Sequence, residues 1–237
     1  MIKNLIQGTL RTMGVQLTDY PKQSERRQLK IIGSRRIDTI LDIGANTGQY
    51  GQYLRSMGYK GKIISFEPMK AAFAELEKKA NKDSGWVAMH YALGNDDGTT
   101  TINVSGNSQS SSILEMLPSH EKSAPSSKYV TKEEIEIKKL DTIFDSICDV
   151  NDKVMLKVDT QGFEKSVLDG AERSLDRVAI IELELSLVPL YENPILYIEM
   201  IDIMKEKGFE LQAMEHVFSD ATTGQTLQVD GTFVRKS

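Results

Sequence analysis

The stretch that most constrains this chain is Thr39-Ile-Leu-Asp-Ile-Gly-Ala-Asn-Thr-Gly48. An apolar run, Ile40 to Ile43, stops at Gly44, and a turn of small residues is closed by Gly48. Tyr50, Tyr53, Leu54 and Met57 then recur at helical spacing. Strand, glycine turn and helix in that order form the opening unit of a nucleotide-binding α/β sheet. Ligands of such sheets sit beyond the carboxyl ends of the strands, where N–H groups at a helix start can meet them.

The turn also selects among ligands. A dinucleotide site uses G-x-G-x-x-G, because the middle glycine lets the pyrophosphate approach the backbone. Here Asp42, Gly44 and Gly48 give D-x-G-x-x-x-G, and the side chain of Asn46 stands where a pyrophosphate would be crowded. A nucleoside with a small zwitterionic tail, such as S-adenosylmethionine (SAM), suits that turn better. The plainer alternative is a tight turn that needs positive φ and binds nothing. A second run, Lys62-Ile-Ile-Ser-Phe-Glu67, reads as a strand ending in an acid and stopped by Pro68. Glu67 lies about twenty residues past the turn, where a carboxylate accepts hydrogen bonds from ribose hydroxyls. A solvated acid at a helix start is its alternative role.

Composition narrows the class. The chain has 237 residues, 40% apolar and 27% charged, which suits one α/β domain. A net charge of −5 argues against a nucleic-acid partner. A single cysteine, Cys148, excludes an intrachain disulfide and a cysteine-based metal site, and fits a reducing cytoplasm. No apolar run is long enough to span a membrane, no signal peptide is expected at the start, and no internal repeat is present.

Segment 1–36 is expected to be a helical N-terminal piece preceding a domain at 37–237. Ile2, Leu5, Ile6, Leu10 and Met13 share one helical face, which suits a lid packed on its own domain, a homodimer contact, or peripheral membrane contact. Thr18 to Ser24 reads as a linker and Arg26 to Ile32 as a second helix. Beyond Pro68, a helix through Phe73, Leu76 and Ala80 leads to a strand at Trp86 to Tyr91. Ala92 and Leu93 follow at a corner suited to an adenine, and Asn95-Asp-Asp-Gly98 reads as a hairpin turn.

An insertion is expected at about residues 99–139. It opens with a strand at 99–104 and continues as a hydroxyl-rich run with Ser110, Ser111, Ser112 and His120. Either this run is disordered, or it is a substrate lid whose apolar residues Ile113, Leu114, Met116 and Leu117 find a place to pack. His120 is a candidate general base. A strand follows at Lys132 to Leu140, then a helix at Leu140 to Ile147. The strand Lys153 to Val158 ends in Asp159, next to the first strand, where a carboxylate can touch cofactor and acceptor or simply cap the next helix. That helix is expected to run from Phe163 to Leu175. In the strand Val178 to Leu185, Glu182 and Glu184 interrupt an apolar run, which is costly unless they are paired or serve a site. A helix from Pro194 to Lys207 and an antiparallel strand pair, Phe209 to Met214 with Gln228 to Arg235, complete the chain.

These motifs together resemble the FkbM family of SAM-dependent methyltransferases. The resemblance covers about residues 25–236. It rests on Leu41 to Tyr50, Ile64 to Pro68, Trp86 with Ala92-Leu-Gly94, and Ser110 to Leu114 with His120. It also rests on Lys157 to Glu164, Glu184 to Tyr191 and Gln228 to Arg235. It implies a class I methyltransferase (Rossmann-like) three-layer sandwich with a mostly parallel seven-stranded sheet and an antiparallel terminal strand. It also implies methylation of a hydroxyl on a sugar, glycolipid, polysaccharide or polyketide-type acceptor. The expected cofactor residues are Asp42, Gly44, Ala45, Asn46, Gly48, Glu67, Pro68, Ala92, Leu93 and Asp159. Asp159, His120 and Glu184 are the catalytic candidates. Ser110, Ser111, Ser112, Tyr191 and Asp230 are the acceptor-binding candidates. A divalent metal between Asp159 and Glu184 would lower the pKa of a sugar hydroxyl, but no spacing demands one and no metal site is expected. Two rivals remain: an NAD-dependent oxidoreductase on a nucleotide sugar, and a non-catalytic scaffold of the same fold.

Overall fold

A computed structural model of the chain describes residues 21–236 together with Leu10, Gly14 and Val15. The amphipathic face expected at 1–14 lies almost wholly outside the described residues. The elements begin with α1 (Gln23–Ser34), β1 (Thr39–Ile43), α2 (Gln49–Ser56), β2 (Lys62–Phe66), α3 (Lys70–Ala80) and β3 (Trp86–Met89). Next come β4 (Ala92–Leu93), β5 (Gly98–Ser105), α4 (Pro118–Ser123), β6 (Tyr129–Lys138) and α5 (Leu140–Ile147). The chain ends with β7 (Val154–Val158), α6 (Glu164–Asp169), β8 (Val178–Ser186), α7 (Tyr197–Glu206), β9 (Phe209–Ser219) and β10 (Thr226–Arg235).

Seven strands form the main sheet in the order β3-β2-β1-β7-β8-β10-β9. Strands β3, β2, β1, β7 and β8 run parallel, and β10 enters antiparallel between β8 and β9. This is the expected mostly parallel sheet with an antiparallel terminal strand.

Side chains alternate between the two faces of each strand, and the faces are built differently. On one face Leu41, Ile43, Ile64, Phe66, Leu156, Val158, Ile181 and Leu183 pack under α5, α6 and α7. On the other, Ile40, Ile63, Met155 and Ile180 pack under α1, α2 and α3. This second face is apolar only at the strand starts. Two residues further along each strand it carries Ser65, Asp42, Lys157 and Glu182, which are direct neighbours in register. Glu184 then faces Asp230, and Ser186 faces Gln228. The sheet is therefore a hydrophobic layer whose carboxyl-end quarter, on one side, is polar.

The insertion makes a second sheet, β4-β6-β5, with β4 parallel and β5 antiparallel to β6. Because β6 lies between β4 and β5, Asn95 to Gly98 does not close a hairpin as expected. It crosses from one edge to the other, and Asp97 accepts from Lys139 N and Thr142 Oγ1. The hydroxyl-rich run packs. Ile113 joins Met69, Ala72, Ala92, Ile102, Ile135 and Ile137, while Leu114 and Met116 pack on Leu190, Tyr191 and Leu227.

Two helices are shorter than the apolar periodicity predicts. Helix α6 stops at Asp169 rather than running to Leu175. A Cβ on Gly170 would sit 1.8 Å from the Gly94 carbonyl oxygen, so the chain makes a close backbone approach here and turns away. Helix α7 starts at Tyr197 rather than Pro194, with Leu196 at its N-cap. Gly208 ends it at φ +85°, as expected.

Gly170→Ala should therefore destabilise the fold by about 3 kcal/mol, the upper end for inserted carbons in packed sites. That corresponds to a Tm drop of roughly 6–12 °C for a chain of this size, read by thermal unfolding. An unchanged Tm would mean that the end of α6 can retreat from Gly94.

Candidate active site

The carboxyl ends of β1, β2, β7 and β8, the insertion and α1 enclose a cleft of about 740 Å³. Its first wall is the glycine turn. Gly44 has φ +80°, and a Cβ there would lie 1.9 Å from the Asp159 carbonyl oxygen, so only glycine fits. Asn46 is left-handed at φ +48°. Its N–H donates to Glu67 Oε2 at 2.8 Å, and Met69 N–H donates to Glu67 Oε1 at 2.8 Å. Glu67 is 2% exposed. Burial pushes its carboxyl up to about 7, against the pull of those two N–H groups. Each oxygen keeps a second lone pair. Gly44, Ala45, Asn46, Glu67, Pro68, Ala92 and Leu93 all line the cleft.

Two expected cofactor residues do not line it. Asp42 is 0% exposed inside the sheet, where Oδ2 accepts from Ser65 Oγ at 2.9 Å. Gly48 begins α2 at φ +82°, and a Cβ there would meet Leu76 and Trp86 at about 3 Å. Gly48 is needed for helix packing, and a tight turn and a ligand both ask for glycine at its place in the motif.

The second wall is the turn after β7. Asp159 does not cap α6, whose N-cap is Phe163. Its carboxylate accepts from Lys157 Nζ at 3.2 Å and from Gln161 Nε2 at 2.9 Å. Gln161, at φ +55°, also donates to Glu184 Oε2 at 2.6 Å and accepts from Tyr191 Oη at 2.7 Å. Gln228 Nε2 adds a donor to the same Glu184 oxygen at 2.6 Å. The position considered for a metal between Asp159 and Glu184 is thus bridged by the Gln161 amide. No group of three or more metal-binding side chains occurs among the described residues. Tyr191 does not line the cleft; it is buried behind Gln161 and holds it.

Electrostatics here are set by burial. It pushes Glu184 well above the carboxylate range, with Asp159 and Glu164 adding to the rise. It lifts Asp230 to about 8, helped by Glu182 and Asp159. It also opposes charge on Lys157, but Asp159 and Asp42 outweigh it and the ammonium is held more tightly than in water. Lys157 Nζ lies 3.6 Å from Asp42 Oδ1. His120 is 2% exposed, with its ring edge-on to Tyr191 at 5.2 Å. Burial lowers its pKa to about 4, so the imidazole is neutral at physiological pH.

The insertion forms the third wall through Ser110, Ser111, Ser112 and His120. Its hydroxyls are largely committed. Ser111 Oγ accepts from Ser105 N at 3.0 Å, Ser110 Oγ from Asn107 Nδ2 at 3.1 Å, and Ser112 Oγ donates to the Gln161 carbonyl at 2.7 Å. Lys157, Gln161, Gln228 and Gln28 are site residues that sequence reading passes over. The available signal for Lys157 was a lone charge in Val154-Met-Leu-Lys-Val158, a strand otherwise buried. The amides carried none.

The profile of the methyltransferase FkbM domain matches residues 42–211. The chain belongs to the FkbM methyltransferase family. Its curated relative Methyltransferase 1 from Beauveria bassiana (strain ARSEF 2860) is 24% identical over 144 residues, 56% of this chain and 58% of that protein. The chain thus spans under two thirds of that relative's length. Among solved structures, a putative SAM-dependent methyltransferase from Listeria monocytogenes aligns at TM-score 0.49 and 9% identity, covering 90% of this chain and 98% of that one. The precorrin-6y C5,15-methyltransferase of Geobacter metallireducens gives 0.48 at 13%, covering 93% and 94%. The Aeropyrum pernix fibrillarin, in complex with SAM, gives 0.49 at 10%, covering 87% and 74%. Membership of this family, with the seven-stranded, mostly parallel sheet and its antiparallel terminal strand, gives the class I methyltransferase fold, and SAM is the methyl donor of the FkbM family.

Breaking the buried ion pair by Lys157→Met should cost this FkbM methyltransferase about 3–5 kcal/mol, because Asp42 loses its cation and keeps only the Ser65 hydroxyl against a burial that disfavours its charge. Asp42→Asn added to it should return part of that loss. A double-mutant cycle in urea should give a coupling of about 1 kcal/mol or more; strict additivity would mean the two side chains act independently.

Proposed function

We propose that this FkbM methyltransferase transfers a methyl group from SAM to a hydroxyl on a sugar, glycolipid, polysaccharide or polyketide-type acceptor. The observation that carries the reading is one cleft with two unlike ends. One end offers Glu67, the Asn46 turn and the apolar pair Ala92 and Leu93. The other gathers Asp159, Glu184, Asp230 and His120.

The first end fits the donor. The buried Glu67 carboxylate, held by two backbone N–H groups with lone pairs to spare, suits a ribose diol. Ala92, Leu93, Ile102 and Phe163 suit an adenine, and Asp159 suits an ammonium. When bound, SAM supplies an electrophilic methyl group and is left as a neutral thioether.

At the second end we assign Asp159 as the base that receives the acceptor's hydroxyl proton. Lys157 and Gln161 hold its carboxylate in place at 3.2 and 2.9 Å. His120, as a neutral ring, is the weaker base and is proposed to hydrogen-bond the acceptor. Glu184 positions Gln161 and through it Asp159. Alignment of the reacting atoms supplies much of the rate in such displacements. Segment 1–36 is proposed as a lid, supported by Gln28 of α1, which donates to Glu182 Oε2 at 2.7 Å and to Tyr50 Oη at 3.1 Å. A reducing, cytoplasmic setting suits Cys148, whose thiol burial pushes up to about 12. No helix among the described residues is long and apolar enough to cross a membrane.

Glu67→Gln should weaken binding of S-adenosylhomocysteine (SAH) about 10- to 100-fold, the worth of a charge-assisted hydrogen bond. The ionised carboxylate is the accepting form. SAH affinity should therefore rise from pH 6 to 8 as Glu67 loses its proton near 7, and the slope should vanish in the variant; calorimetry reads both. Asp159→Asn should lower turnover of labelled methyl by about 10² to 10⁴, and His120→Ala by less than tenfold. Methyl recovered on nitrogen or carbon rather than oxygen, by mass spectrometry and NMR, would refute the O-methyltransferase reading.

A further inference from the structure

The ammonium and amides at the acceptor end of the cleft are spent on its own carboxylates. Lys157 Nζ is directed at Asp159 and Asp42. The Gln161 amide is shared between Asp159 and Glu184, and the Gln228 amide goes to Glu184. Gln28 is used on Glu182. Arg27, at the rim, pairs with Glu215.

What remains is two acids that burial holds towards their protonated form, and one imidazole. Both donors to Glu184 converge on Oε2, which leaves Oε1 open. Asp230 faces Glu184 across the β8–β10 ladder, and no hydrogen bond or ion pair among the described residues reaches its carboxylate. His120 adds an independent observation. It lines the cleft, it is 2% exposed, and its buried Nδ1 has no partner among the described residues. A neutral imidazole keeps one ring nitrogen as an acceptor in either tautomer. Phe218 joins these groups: its ring lies 5.8 Å from His120, and it pairs with Gln228 in register. A buried imidazole nitrogen without a donor is costly, and the two acids, neutralised by burial, ionise readily only when a cation joins them.

We infer that the acceptor is a hydroxyl compound that also bears a protonated amine, received by Glu184, Asp230 and His120. The inference rests on the methyltransferase reading above and adds the acceptor's charge to it. A neutral polyol would leave Glu184 and Asp230 in the protonated form that burial favours, since Lys157 acts on them only from beyond ion-pair distance. An ammonium supplies three donors and the charge. It also directs the chemistry: a protonated amine has no lone pair, so the methyl group goes to the hydroxyl oxygen and the hydroxyl proton goes to the base.

The test is calorimetry on the full chain saturated with SAH, which fills the donor end without a sulfonium charge. Two matched pairs serve as probes: trans-4-aminocyclohexanol against trans-1,4-cyclohexanediol, and glucosamine against glucose. In at least one pair the amine should bind tenfold or more tightly than its neutral partner. Its binding should release protons, read in two buffers of different ionisation heat, because Asp230, held up to about 8, must ionise to receive it. Asp230→Asn should bring the ratio towards one while SAH still binds, which shows that this variant is folded; Glu184→Gln should also lower the ratio, its fold being checked by thermal unfolding. Equal affinities in both pairs, preference for the neutral partner, or no binding of either amine overturns the inference. Failure of SAH to bind with the amine preference intact would sink the donor-site reading alone.

Discussion

The arrangement turns on one ammonium. Lys157 stands near the carboxyl end of a central strand, between Asp42 on β1 and Asp159 just beyond its own strand. A lysine there is tolerable only because carboxylates flank it, and Asp42, fully buried, is tolerable only because of the lysine. Each is held by the other at a cost of several kcal/mol if one is removed. The pair sits in a longer line. Trp86 Nε1 donates to Ser65 Oγ at 3.0 Å, and Ser65 donates to Asp42. On the other side Asp159, Gln161, Glu184 and Gln228 continue it to β10. A polar chain thus crosses the sheet from β3 to β10 just below the cleft floor.

That line explains why fold and site cannot be separated here. Strand alternation gives one wholly apolar face under α5, α6 and α7, and it fixes the register that a parallel sheet needs. The same alternation puts every polar side chain of the carboxyl half on the opposite face, where α1 covers it only in part. Without the glycine at 44, the Asp159 carbonyl could not approach β1 and the turn carrying Gln161 would move. Glu164 holds that turn from behind, accepting from Thr160 N and Gly162 N at 3.0 and 3.1 Å. Ser112 ties the insertion to the same turn, so the third wall is registered on the second.

The parallel sheet and the gathering of the glycine turn and Glu67 in one cleft were legible in the sequence because their constraints are local. A strand, a turn of positive φ and an acid after the next strand each announce themselves over a few residues, and Gly44, Asn46 and Glu67 stand together in the cleft. Asp42, Gly48 and Tyr191 share those motifs yet work one layer back, in the sheet, in helix packing and behind Gln161. A motif marks a neighbourhood, and contact is decided by which way each side chain alternates. Helix α6 was overextended for a similar reason. The apolar spacing of Val167, Leu168, Ala171 and Leu175 is real core burial, but it is met by a helix, a turn and a short 3₁₀ segment, because Gly94 lies in the way at Gly170.

The end of the cleft proposed for the acceptor was least legible, because its polar groups come from strands and loops far apart in the sequence. Glu182 and Glu184 were visible as misplaced charges in a strand, while the amides of Gln28, Gln161 and Gln228 gave no signal at all. Only the three-dimensional arrangement reveals that these amides are the donors available there and that each is already engaged. The hydroxyls of Ser110, Ser111 and Ser112, the most conspicuous polar run in the chain, hold the insertion together and leave little to offer a ligand. The proposed recognition at this end therefore falls to Glu184, Asp230 and His120, in a setting where burial makes charge expensive. A ligand that donates without charge satisfies the imidazole alone, and one that brings a cation also lets the two acids ionise.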